Sequence, residues 1–511
     1  MLEIEDKFRV HQDFVLPELN GNDGVVAGVS PARTYSLVAT YHDTEDLRLA
    51  RSGITLRHRT GEGTPSWQLK LPADRPGARH ELDVPGDETE IPAELRLVVL
   101  ARVRRAELAP RATLTTDRTT YDLLGADRQV VAELVDDHVD AHDGGQRVAR
   151  FREIEVEDRG GGTDVLDRVG SRLRAAGAVQ GEFEPKVVRA LGQRASAPPD
   201  PPLPPRVRRR DPARTLVAAA LREHVHRLLD NDVVVRAGLD DDGIHQMRVA
   251  GRRLRSALRD FGPLLDPVWA AQLDTELRWL GQQLSPARDL QVVTDRLMSA
   301  LDRLPAERSN GSHSRSDELD RPAASTQINR VLEPEIEAAR ASVESALASD
   351  RYLDLLDALV DAATHPRTTD EADRSCRTAM PPLVHASRKR LARRFSAAID
   401  SGTPESHHRA RKAAKSTRYL ADALAPVYGK QARRFATAVK GIQELLGEHQ
   451  DAMVAAETLH RIAAGPRATQ ATFTLGVLYA QQLELAKALR AQFAEVAPTV
   501  VRPRSQRWVD D

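Results

Sequence analysis

MLEIEDKFRV (residues 1–10) alternates charged and apolar side chains from its second residue onward. In a β-strand, residues two apart point to the same face, so Glu3, Glu5 and Lys7 share one side while Ile4 and Phe8 share the other. Two carboxylates and an amine would then face the same space. The stretch therefore predicts an amphipathic strand whose polar face is a candidate binding surface.

The same alternation recurs before residue 195, in short segments that Gly, Pro and Asp separate, as is typical of antiparallel strands. The clearest examples are GITLRHR (53–59), SWQLKL (66–71), RHELDV (79–84), VVAELVDD (130–137) and REIEVE (152–157). Any one of these polar faces could simply be solvated. Together they gather acidic residues on the first and last strands and basic residues on the middle ones, which is unlike ordinary surface strands. If the sheet closes into a barrel with these faces inward, carboxylates lie beside guanidinium and ammonium groups.

Such an interior has a definite chemical use. Carboxylate oxygens are the ligands that Mg²⁺ and Mn²⁺ prefer, whereas Arg and Lys bind phosphate oxygens, Arg often through two hydrogen bonds. A polyanion that contacts both groups would fit between them. The chain contains no Walker A sequence, so a P-loop is not the phosphate site.

A proline-rich stretch divides the chain. SAPPDPPLPPRVRRRDP (196–212) holds seven prolines and no apolar periodicity, which predicts a stiff linker. After it, long segments rich in Ala, Leu and Arg show the period of an α-helix. We expect a barrel domain over 1–195 and a helical domain over 213–500.

The helical half contains one pattern twice. HQMRVAGRRLRSALR (245–259) precedes LSPARDLQVV (284–293), and HRARKAAKSTRYL (408–420) precedes LGEHQDAMV (446–454). The offset is 163 between the leading histidines and 162 between Asp289 and Asp451, which indicates an internal duplication. The repeats are expected over about 213–302 and 330–500, with a flexible loop at 303–327 between them.

Each repeat has a basic stripe headed by His, with members three or four residues apart on one helical face and, in the second repeat, Lys412 beside them. The stripes comprise His245, Arg248, Arg252, Arg255 and Arg259 in the first repeat and His408, Arg411, Lys412, Lys415 and Arg418 in the second. A solvated face is the alternative explanation. The stripes lack the acidic residues four positions away that normally offset such repulsion, so we favour binding of an anion. The leading histidines are expected to donate hydrogen bonds to phosphate rather than to bind metal.

The composition limits other functions. The chain has 511 residues with 74 basic and 75 acidic side chains, so attraction to anions must come from local clusters. Its single cysteine, Cys376, cannot form an internal disulfide, and residues 1–20 show no signal-peptide core; we expect a cytoplasmic protein. No apolar run is long enough to span a membrane, and aromatic residues at 4% disfavour binding of single-stranded nucleic acid.

The first 192 residues resemble the CYTH family, the triphosphate tunnel metalloenzymes, through EIEDK (3–7), the strands above, DRTTYDL (117–123) and EPKVVRAL (184–191). The resemblance implies an eight-stranded antiparallel tunnel that hydrolyses triphosphates. It implies that the metal ligands are Glu3, Glu5, Glu153, Glu155 and Glu157, with Asp136 a weaker candidate. It implies that phosphate is bound and its transfer catalysed by Lys7, Arg57, Arg59, Lys70, Arg79, Arg118 and Lys186. Family members often have Ser before the last lysine, whereas this chain has Pro185.

Residues 213–495 resemble the CHAD family, the conserved-histidine α-helical domains, through the duplicated stripes. That family has two pseudo-symmetric helical bundles around a basic groove and binds polyphosphate. Asp289 and Asp451 are expected to orient the basic residues. The repeats differ where Ser285 corresponds to Gly447 and Arg288 to Gln450.

The fold expected is therefore α+β and multidomain: an eight-stranded antiparallel barrel followed by an all-α domain of two duplicated bundles. The function expected is hydrolysis of inorganic triphosphate with Mg²⁺ or Mn²⁺, with polyphosphate bound by the helical domain, which would associate with polyphosphate granules. Three alternatives stay open: a polyphosphate-binding protein without activity, a nucleotide-acting enzyme (adenylyl cyclase or RNA triphosphatase), and a double-stranded nucleic-acid binder, which ranks low.

Overall fold

A computed structural model describes residues 2–20, 25–73, 75, 77–181, 185–240, 242–304, 319–465 and 471–501. The chain divides into two compact units, Met1–Asp200 and Pro201–Asp511. The first unit holds the strands and the second is helical. Among the described helices, none is both long and apolar enough to cross a membrane.

The described residues of the first unit form ten strands and five α-helices. The strands are β1 (Leu2–Val10), β2 (Gly28–Val29), β3 (Arg33–Asp43), β4 (Thr55–Thr60), β5 (Ser66–Pro72), β6 (Ala78–Pro85), β7 (Ala109–Leu124), β8 (Val130–Asp143), β9 (Gln146–Asp158) and β10 (Val179–Gln180). The helices are α1 (Arg48–Arg51), α2 (Ala93–Val98), α3 (Leu100–Val103), α4 (Gly162–Ala175) and α5 (Lys186–Leu191).

Eight of these strands close into an antiparallel barrel. Their order is β1-β6-β5-β4-β3-β7-β8-β9, and β9 pairs back to β1. The register of the closing pair places Glu5 opposite Glu157 and Lys7 opposite Glu155. The two-residue strands β2 and β10 pair with β7 and β1. The expected eight-stranded antiparallel barrel is confirmed.

The apolar faces of the strands point away from the barrel interior. Phe8 on β1 and Ile154 on β9 are fully buried in a core with Val169 of α4. Burial of each such side chain stabilises the fold by about 1.5–3 kcal/mol. This outer core leaves the alternate, charged residues of the same strands to face inward.

The second unit contains nine described helices. They are α6 (Ala213–Arg236), α7 (Gly243–Asp260), α8 (Pro267–Asp302), α9 (Arg321–Leu347), α10 (Asp350–Thr364), α11 (Cys376–Ser401), α12 (Pro404–Ala423), α13 (Ala425–Ala463) and α14 (Thr472–Val500). Gly429 interrupts α13 with φ 59° and ψ −131°, so the long straight part of that helix begins at Lys430. The all-α second half is confirmed.

The duplication is visible in the burial of α8 and α13. At an offset of 162 residues, apolar side chains that are buried in one helix correspond to buried apolar side chains in the other. The pairs are Leu273 and Phe435, Leu277 and Val439, Leu280 and Ile442, and Leu284 and Leu446. The two helices thus occupy equivalent places in the two repeats.

The loop expected at 303–327 is shorter than its composition suggests. Residues 305–318 lie outside the described part of the chain, and α9 begins at Arg321. Asp320 caps that helix by accepting a hydrogen bond from the Ala323 amide. A favourable N-cap followed by Pro322 starts a helix that the polar composition had hidden.

Candidate functional sites in the barrel and the helical groove

The barrel encloses a cavity of about 370 Å³, which we call the tunnel. Every barrel strand contributes to it because each presents alternate residues inward. Among the described lining residues, eight are acidic and eight are basic. The acidic ones are Glu3, Glu5, Glu62, Glu81, Asp83, Glu133, Glu155 and Glu157. The basic ones are Lys7, Arg57, Arg59, Lys70, Arg79, Arg118, Arg159 and Lys186.

The residues expected in this site line the tunnel, except Glu153 and the weaker candidate Asp136. The Glu153 side chain is 3% exposed and lies on the same face of β9, but its carboxylate lies 3.3 Å from Arg189 and 3.9 Å from Lys186. Burial raises its pKa, and the two neighbouring cations only partly oppose that shift. The glutamate therefore borders the cavity wall instead of facing the open space.

Two lysines lie in the tunnel between carboxylates. Lys7 Nζ lies 2.5 Å from Glu155 and 2.9 Å from Glu5. Lys186 Nζ, at the start of α5, lies 2.5 Å from Asp137 and 2.9 Å from Glu155. Burial alone would lower the pKa of each lysine, but the carboxylates outweigh it and raise the pKa of both. Both lysines are therefore charged at neutral pH.

Three guanidinium groups form the basic part of the tunnel: Arg57, Arg59 and Arg118. Burial, then repulsion from Arg57 and Arg118, lowers the pKa of Arg59. Arg57 donates to Gln68 Oε1 at 2.9 Å and to Tyr41 Oη at 3.0 Å, which fixes its orientation. Arg118 is held by Asp137, and Arg59 lies 3.4 Å from Glu62. The three guanidinium groups are thus held close together, which suits an anion with several oxygens.

Three carboxylates form the acidic part: Glu3, Glu133 and Glu157. Burial raises the pKa of Glu157 to about 7, and Glu3 and Glu133 add to the rise while Arg159 opposes it. Lys70 lies 2.6 Å from Glu3. These oxygens are hard donors of the kind that Mg²⁺ and Mn²⁺ bind.

A divalent cation fits this donor set if the protein carboxylates share its coordination with water and substrate; the protein alone does not form a complete site. Within the described part of the chain, no three His, Cys, Asp or Glu side chains are already arranged to hold a metal ion. Mg²⁺ commonly takes only one or two carboxylates and completes its shell with water and substrate phosphates. Glu3, Glu5, Glu133 and Glu157 could supply those carboxylates. Glu155 is less suited because Lys7, Lys186 and Arg118 already surround it.

Asp136 faces away from the tunnel, and Asp137 takes the place expected for it. Asp136 accepts two hydrogen bonds from Arg152 at 2.9 and 2.7 Å on the outer face of β8. Asp137 is fully buried and accepts two hydrogen bonds from Arg118 at 2.9 and 2.8 Å. The error is one of strand parity, because Val135 lines the tunnel and its i+2 neighbour is Asp137.

Sequence reasoning also missed several tunnel residues, chiefly Glu133 and Arg159. Glu133 shares a face with Val135 and Asp137, so the same alternation would have found it. Arg159 follows the last residue of β9, where alternation no longer predicts direction. It contacts Glu157 at 3.0 Å and Glu133 at 2.5 Å.

The helical unit contains a second charged cavity of about 700 Å³, which we call the groove. It is lined from α7 and α8 of the first repeat and from α12 and α13 of the second. Among its described lining residues, eight are Arg or Lys, two are His and four are acidic. The expected members that line it are His245, Arg248, Arg252, His408, Arg411, Lys415 and Arg418. Arg253, Arg288 and Arg296 are additional cations.

Charges in the groove are poorly balanced. Burial lowers the pKa of Lys415 to about 7, and Arg411 and Arg252 add to that shift. Burial also lowers the pKa of His245 and His408, as do their basic neighbours. An anion in the groove would reverse these shifts, so the electrostatics favour anion binding.

Two aspartates orient groove arginines in equivalent positions. Asp289 accepts a hydrogen bond from Arg248 at 2.9 Å, and Asp451 lies 3.8 Å from Arg411. Gly447 lies directly against Arg411, because a Cβ there would be 3.5 Å from its Nη2. The arrangement agrees with the orienting role expected for both aspartates.

Three residues of the expected stripes lie outside the groove: Arg255, Arg259 and Lys412. Arg255 donates to Asp274 of α8 at 2.8 Å, and Arg259 lies 3.6 Å from Asp260. Residues at heptad spacing drift by about 20° per heptad around a straight helix. The later residues of a stripe therefore no longer point into the groove that its first residues face. The polyphosphate role expected for these three residues has no support from their position.

Acidic partners of the stripes come mainly from other helices, which the sequence did not show. One partner does lie four residues away on the same helix: Asp422 is 3.6 Å from Arg418. It also accepts a hydrogen bond from Arg253 of the first repeat at 3.3 Å. The expectation that the stripes lack such partners is therefore wrong at this position.

Comparison with known proteins identifies the domain family of each unit. A CYTH domain model matches residues 1–188 and a CHAD domain model matches residues 219–460. The uncharacterized protein MT2285 of Mycobacterium tuberculosis (strain CDC 1551 / Oshkosh) is 36% identical over 96% of this chain and 94% of its own length. PptA from Streptomyces chartreusis is similar at 23% identity and a TM-score of 0.46, over 56% of this chain and 99% of its own. The CHAD domain from the plant Ricinus communis is similar at 28% identity and a TM-score of 0.45, over 58% and 96%.

Proposed function

The chain belongs to the family of proteins that join a CYTH domain to a CHAD domain, and from that premise we propose that its tunnel hydrolyses inorganic triphosphate. The reaction cleaves one phosphoanhydride bond with water and releases pyrophosphate and phosphate. We propose further that the groove binds inorganic polyphosphate. CYTH proteins are triphosphate tunnel enzymes and CHAD proteins are associated with polyphosphate, so both proposals lie within the chemistry of the two families.

One observation carries the tunnel proposal: like charges are concentrated in two opposite groups inside one cavity. Arg59 lies beside Arg57 and Arg118, and Glu157 is held beside Glu3 and Glu133. Burial and these like charges disfavour the charged forms of Arg59 and Glu157. A linear phosphate chain with its cation relieves both, because the phosphate oxygens satisfy the guanidinium groups and the cation satisfies the carboxylates.

The residues of the tunnel have distinct proposed roles. The three arginines hold the phosphoryl group that is transferred and stabilise the charge that develops on its oxygens. Lys7 and Lys186, fixed by Glu155, bind the neighbouring phosphates. A bound Mg²⁺ or Mn²⁺ would supply Lewis-acid stabilisation of phosphate oxygens near Glu3, Glu5, Glu133 and Glu157. No protein nucleophile is needed.

A nucleotide substrate has less support. Tyr41 is the aromatic side chain among the described tunnel residues; it is 6% exposed, and the Arg57 guanidinium lies over its ring, 5.8 Å from the ring centroid. That leaves no exposed aromatic face in the described lining on which a base could stack. We therefore place inorganic triphosphate ahead of ATP or an RNA 5′-triphosphate.

The test is phosphate release from inorganic triphosphate, ATP and long polyphosphate with Mg²⁺ or Mn²⁺, for the unmodified protein and Glu5→Gln. Glu5 lines the tunnel and its replacement is isosteric. We expect triphosphate to be the best substrate and Glu5→Gln to lower turnover by about a hundredfold or more, since a lost metal carboxylate costs several kcal/mol.

The matched control is Asp143→Asn, which changes an exposed carboxylate at the end of β8. It should leave turnover unchanged. Equal loss in both variants, or no phosphate release from any of the three substrates, contradicts the tunnel proposal. Retained binding of polyphosphate would then identify a binding protein without this activity.

A further inference from the structure

Three exposed cations lie together on α13, outside the groove: Lys430, Arg433 and Arg434. With Thr437 they line a shallow depression of about 340 Å³, and we call this surface the α13 patch. Within the described residues, none of the three forms an ion pair or a side-chain hydrogen bond. Most other described arginines of this unit have such a partner.

The position of the patch makes these cations unfavourable for the helix. They follow Gly429, whose φ of 59° breaks α13, so they occupy the first turns of its straight part. The positive end of the helix dipole lies there, and cations in that turn are disfavoured. Like charges three or four residues apart add further repulsion of some tenths of a kcal/mol per pair.

The first repeat shows that the fold does not need these charges. At the offset of 162 residues, the equivalent positions on α8 hold Val268, Ala271 and Gln272, all exposed. There the first turn is capped by Asp266, which accepts a hydrogen bond from the Trp269 amide at 2.7 Å. The second repeat therefore carries three cations where the first carries neutral residues and an acidic cap.

The patch adjoins the groove along α13. Steps of three and four residues lead from Lys430 through Arg433, Thr437 and Lys440 to Glu444, which lines the groove and lies 3.2 Å from Lys440. Lys430 and Glu444 are 14 positions apart, which corresponds to about 21 Å along a helix. Steps of this kind drift by about 40° around the helix over that length, so the patch lies beside the groove, with the Lys440–Glu444 ion pair between the two.

We propose that the α13 patch is a second phosphate-binding site that holds the overhanging part of a polyphosphate chain too long for the groove. This inference rests on the proposed function of the groove. Arginine binds phosphate oxygens through two parallel hydrogen bonds, and three cations along one face match a ligand with regularly spaced negative charges. A short chain would bind in the groove alone, whereas a long chain would contact both surfaces.

The test compares, in EDTA so that the tunnel hydrolyses nothing, the binding of polyphosphate that is longer than triphosphate yet short enough for the groove with the binding of chains of more than about a hundred units. The variant Lys430→Val, Arg433→Ala, Arg434→Gln installs the residues that the first repeat carries at these positions, so the helix should remain folded. We expect its affinity for long chains to fall about tenfold, as three exposed charge contacts would give. The salt dependence of long-chain binding should fall by about two to three in slope. Affinity for short chains should not change.

Two controls separate this inference from the groove proposal. The reciprocal variant Val268→Lys, Ala271→Arg, Gln272→Arg adds cations at the equivalent place in the first repeat and reports non-specific charge. Arg252→Ala weakens the groove and should lower affinity for short and long chains alike. If Arg252→Ala acts and the patch variant changes neither chain length, or both equally, the patch inference is wrong while the groove stands. If Arg252→Ala changes nothing, the groove proposal and the inference both fail.

Discussion

The tunnel and the groove are both rich in charge, yet their electrostatics are opposite. Acidic and basic residues balance among the described lining of the tunnel, and there the carboxylates raise the pKa of Lys7 and Lys186. Basic residues outnumber acidic ones two to one in the groove, even without its histidines, and there the pKa of Lys415 is lowered to about 7. A balanced cavity has little net attraction for a polyanion, whereas an unbalanced one has a strong attraction.

This difference in charge balance explains why the tunnel would need a metal ion and the groove would not. Triphosphate carries several negative charges, and the eight described basic side chains of the tunnel face an equal number of carboxylates. Divalent cations would supply the missing positive charge and turn the carboxylates from repulsive groups into ligands. The groove already carries an excess of positive charge, so its ligand needs no such help.

The largest expected effect follows from that contrast and comes from metal removal. Chelation with EDTA should lower triphosphate hydrolysis at least a thousandfold, because loss of the cation removes several kcal/mol of charge stabilisation and restores carboxylate repulsion. Polyphosphate binding by the same sample should persist at unchanged affinity. Phosphate release and polyphosphate binding, measured in parallel before and after chelation, check this.

Two results would contradict this contrast between a metal-dependent tunnel and a metal-independent groove. Hydrolysis that survives EDTA would mean that the tunnel carboxylates do not hold a catalytic cation. Polyphosphate binding that disappears with EDTA would mean that the groove also works through a cation. Readdition of Mg²⁺ or Mn²⁺ restores hydrolysis if chelation acted only by removing metal.

The alternation of β1 shows how much of the tunnel could be predicted from the sequence. Glu3, Glu5 and Lys7 were placed correctly because a strand has a fixed period of two, and the same rule holds for Arg57 and Arg59 on β4. Barrel closure came from the resemblance to the CYTH family, because the distribution of acidic and basic faces only made an enclosed interior a possibility. The strands and their faces were therefore readable from local pattern, whereas closure was not.

Side-chain pairing could not be predicted in the same way. The burial of Glu155 among three cations depends on which strands are neighbours and on where α5 starts, and neither is a local property. Asp136 and Asp137 are adjacent acidic residues, so composition could not decide which faces inward. Glu153 and Glu157 share a face, but only their depth in the barrel separates them.

Two arginines of α7 test which part of a basic stripe binds the ligand, a distinction that residue spacing alone could not make. Arg252 and Arg255 belong to the same stripe of α7, yet only Arg252 lines the groove, and Arg255 is paired with Asp274. Arg252→Ala should weaken polyphosphate binding by roughly tenfold to a hundredfold, as loss of a charge-assisted contact does. Arg255→Ala should leave affinity unchanged. Isothermal titration of both variants checks this, and equal effects would mean that the whole stripe binds the ligand.

The smallest expected effect is a pH dependence that belongs to the groove. Lys415 on α12 faces Arg411 of its own helix, Arg252 and Arg248 of α7, and Asp451 of α13. Burial and these arginines lower its pKa to about 7, so in the free protein the amine is charged at pH 6 and mostly neutral at pH 8. A bound polyanion favours the charged amine and raises that pKa, so binding above pH 7 takes up a proton.

Polyphosphate affinity is therefore highest below pH 7, and it falls as the pH rises through the pKa of the free Lys415 amine. Between pH 7 and 8 we expect a threefold to tenfold loss of affinity, measured by titration in buffers of different ionisation enthalpy to count the protons taken up. His245 and His408 have lowered pKa values in the free protein, so a bound anion would make them take up protons as well. Lys415→Arg separates the contributions, because guanidinium stays charged throughout. If that variant keeps the full slope, the histidines are responsible and Lys415 is already charged in the free groove.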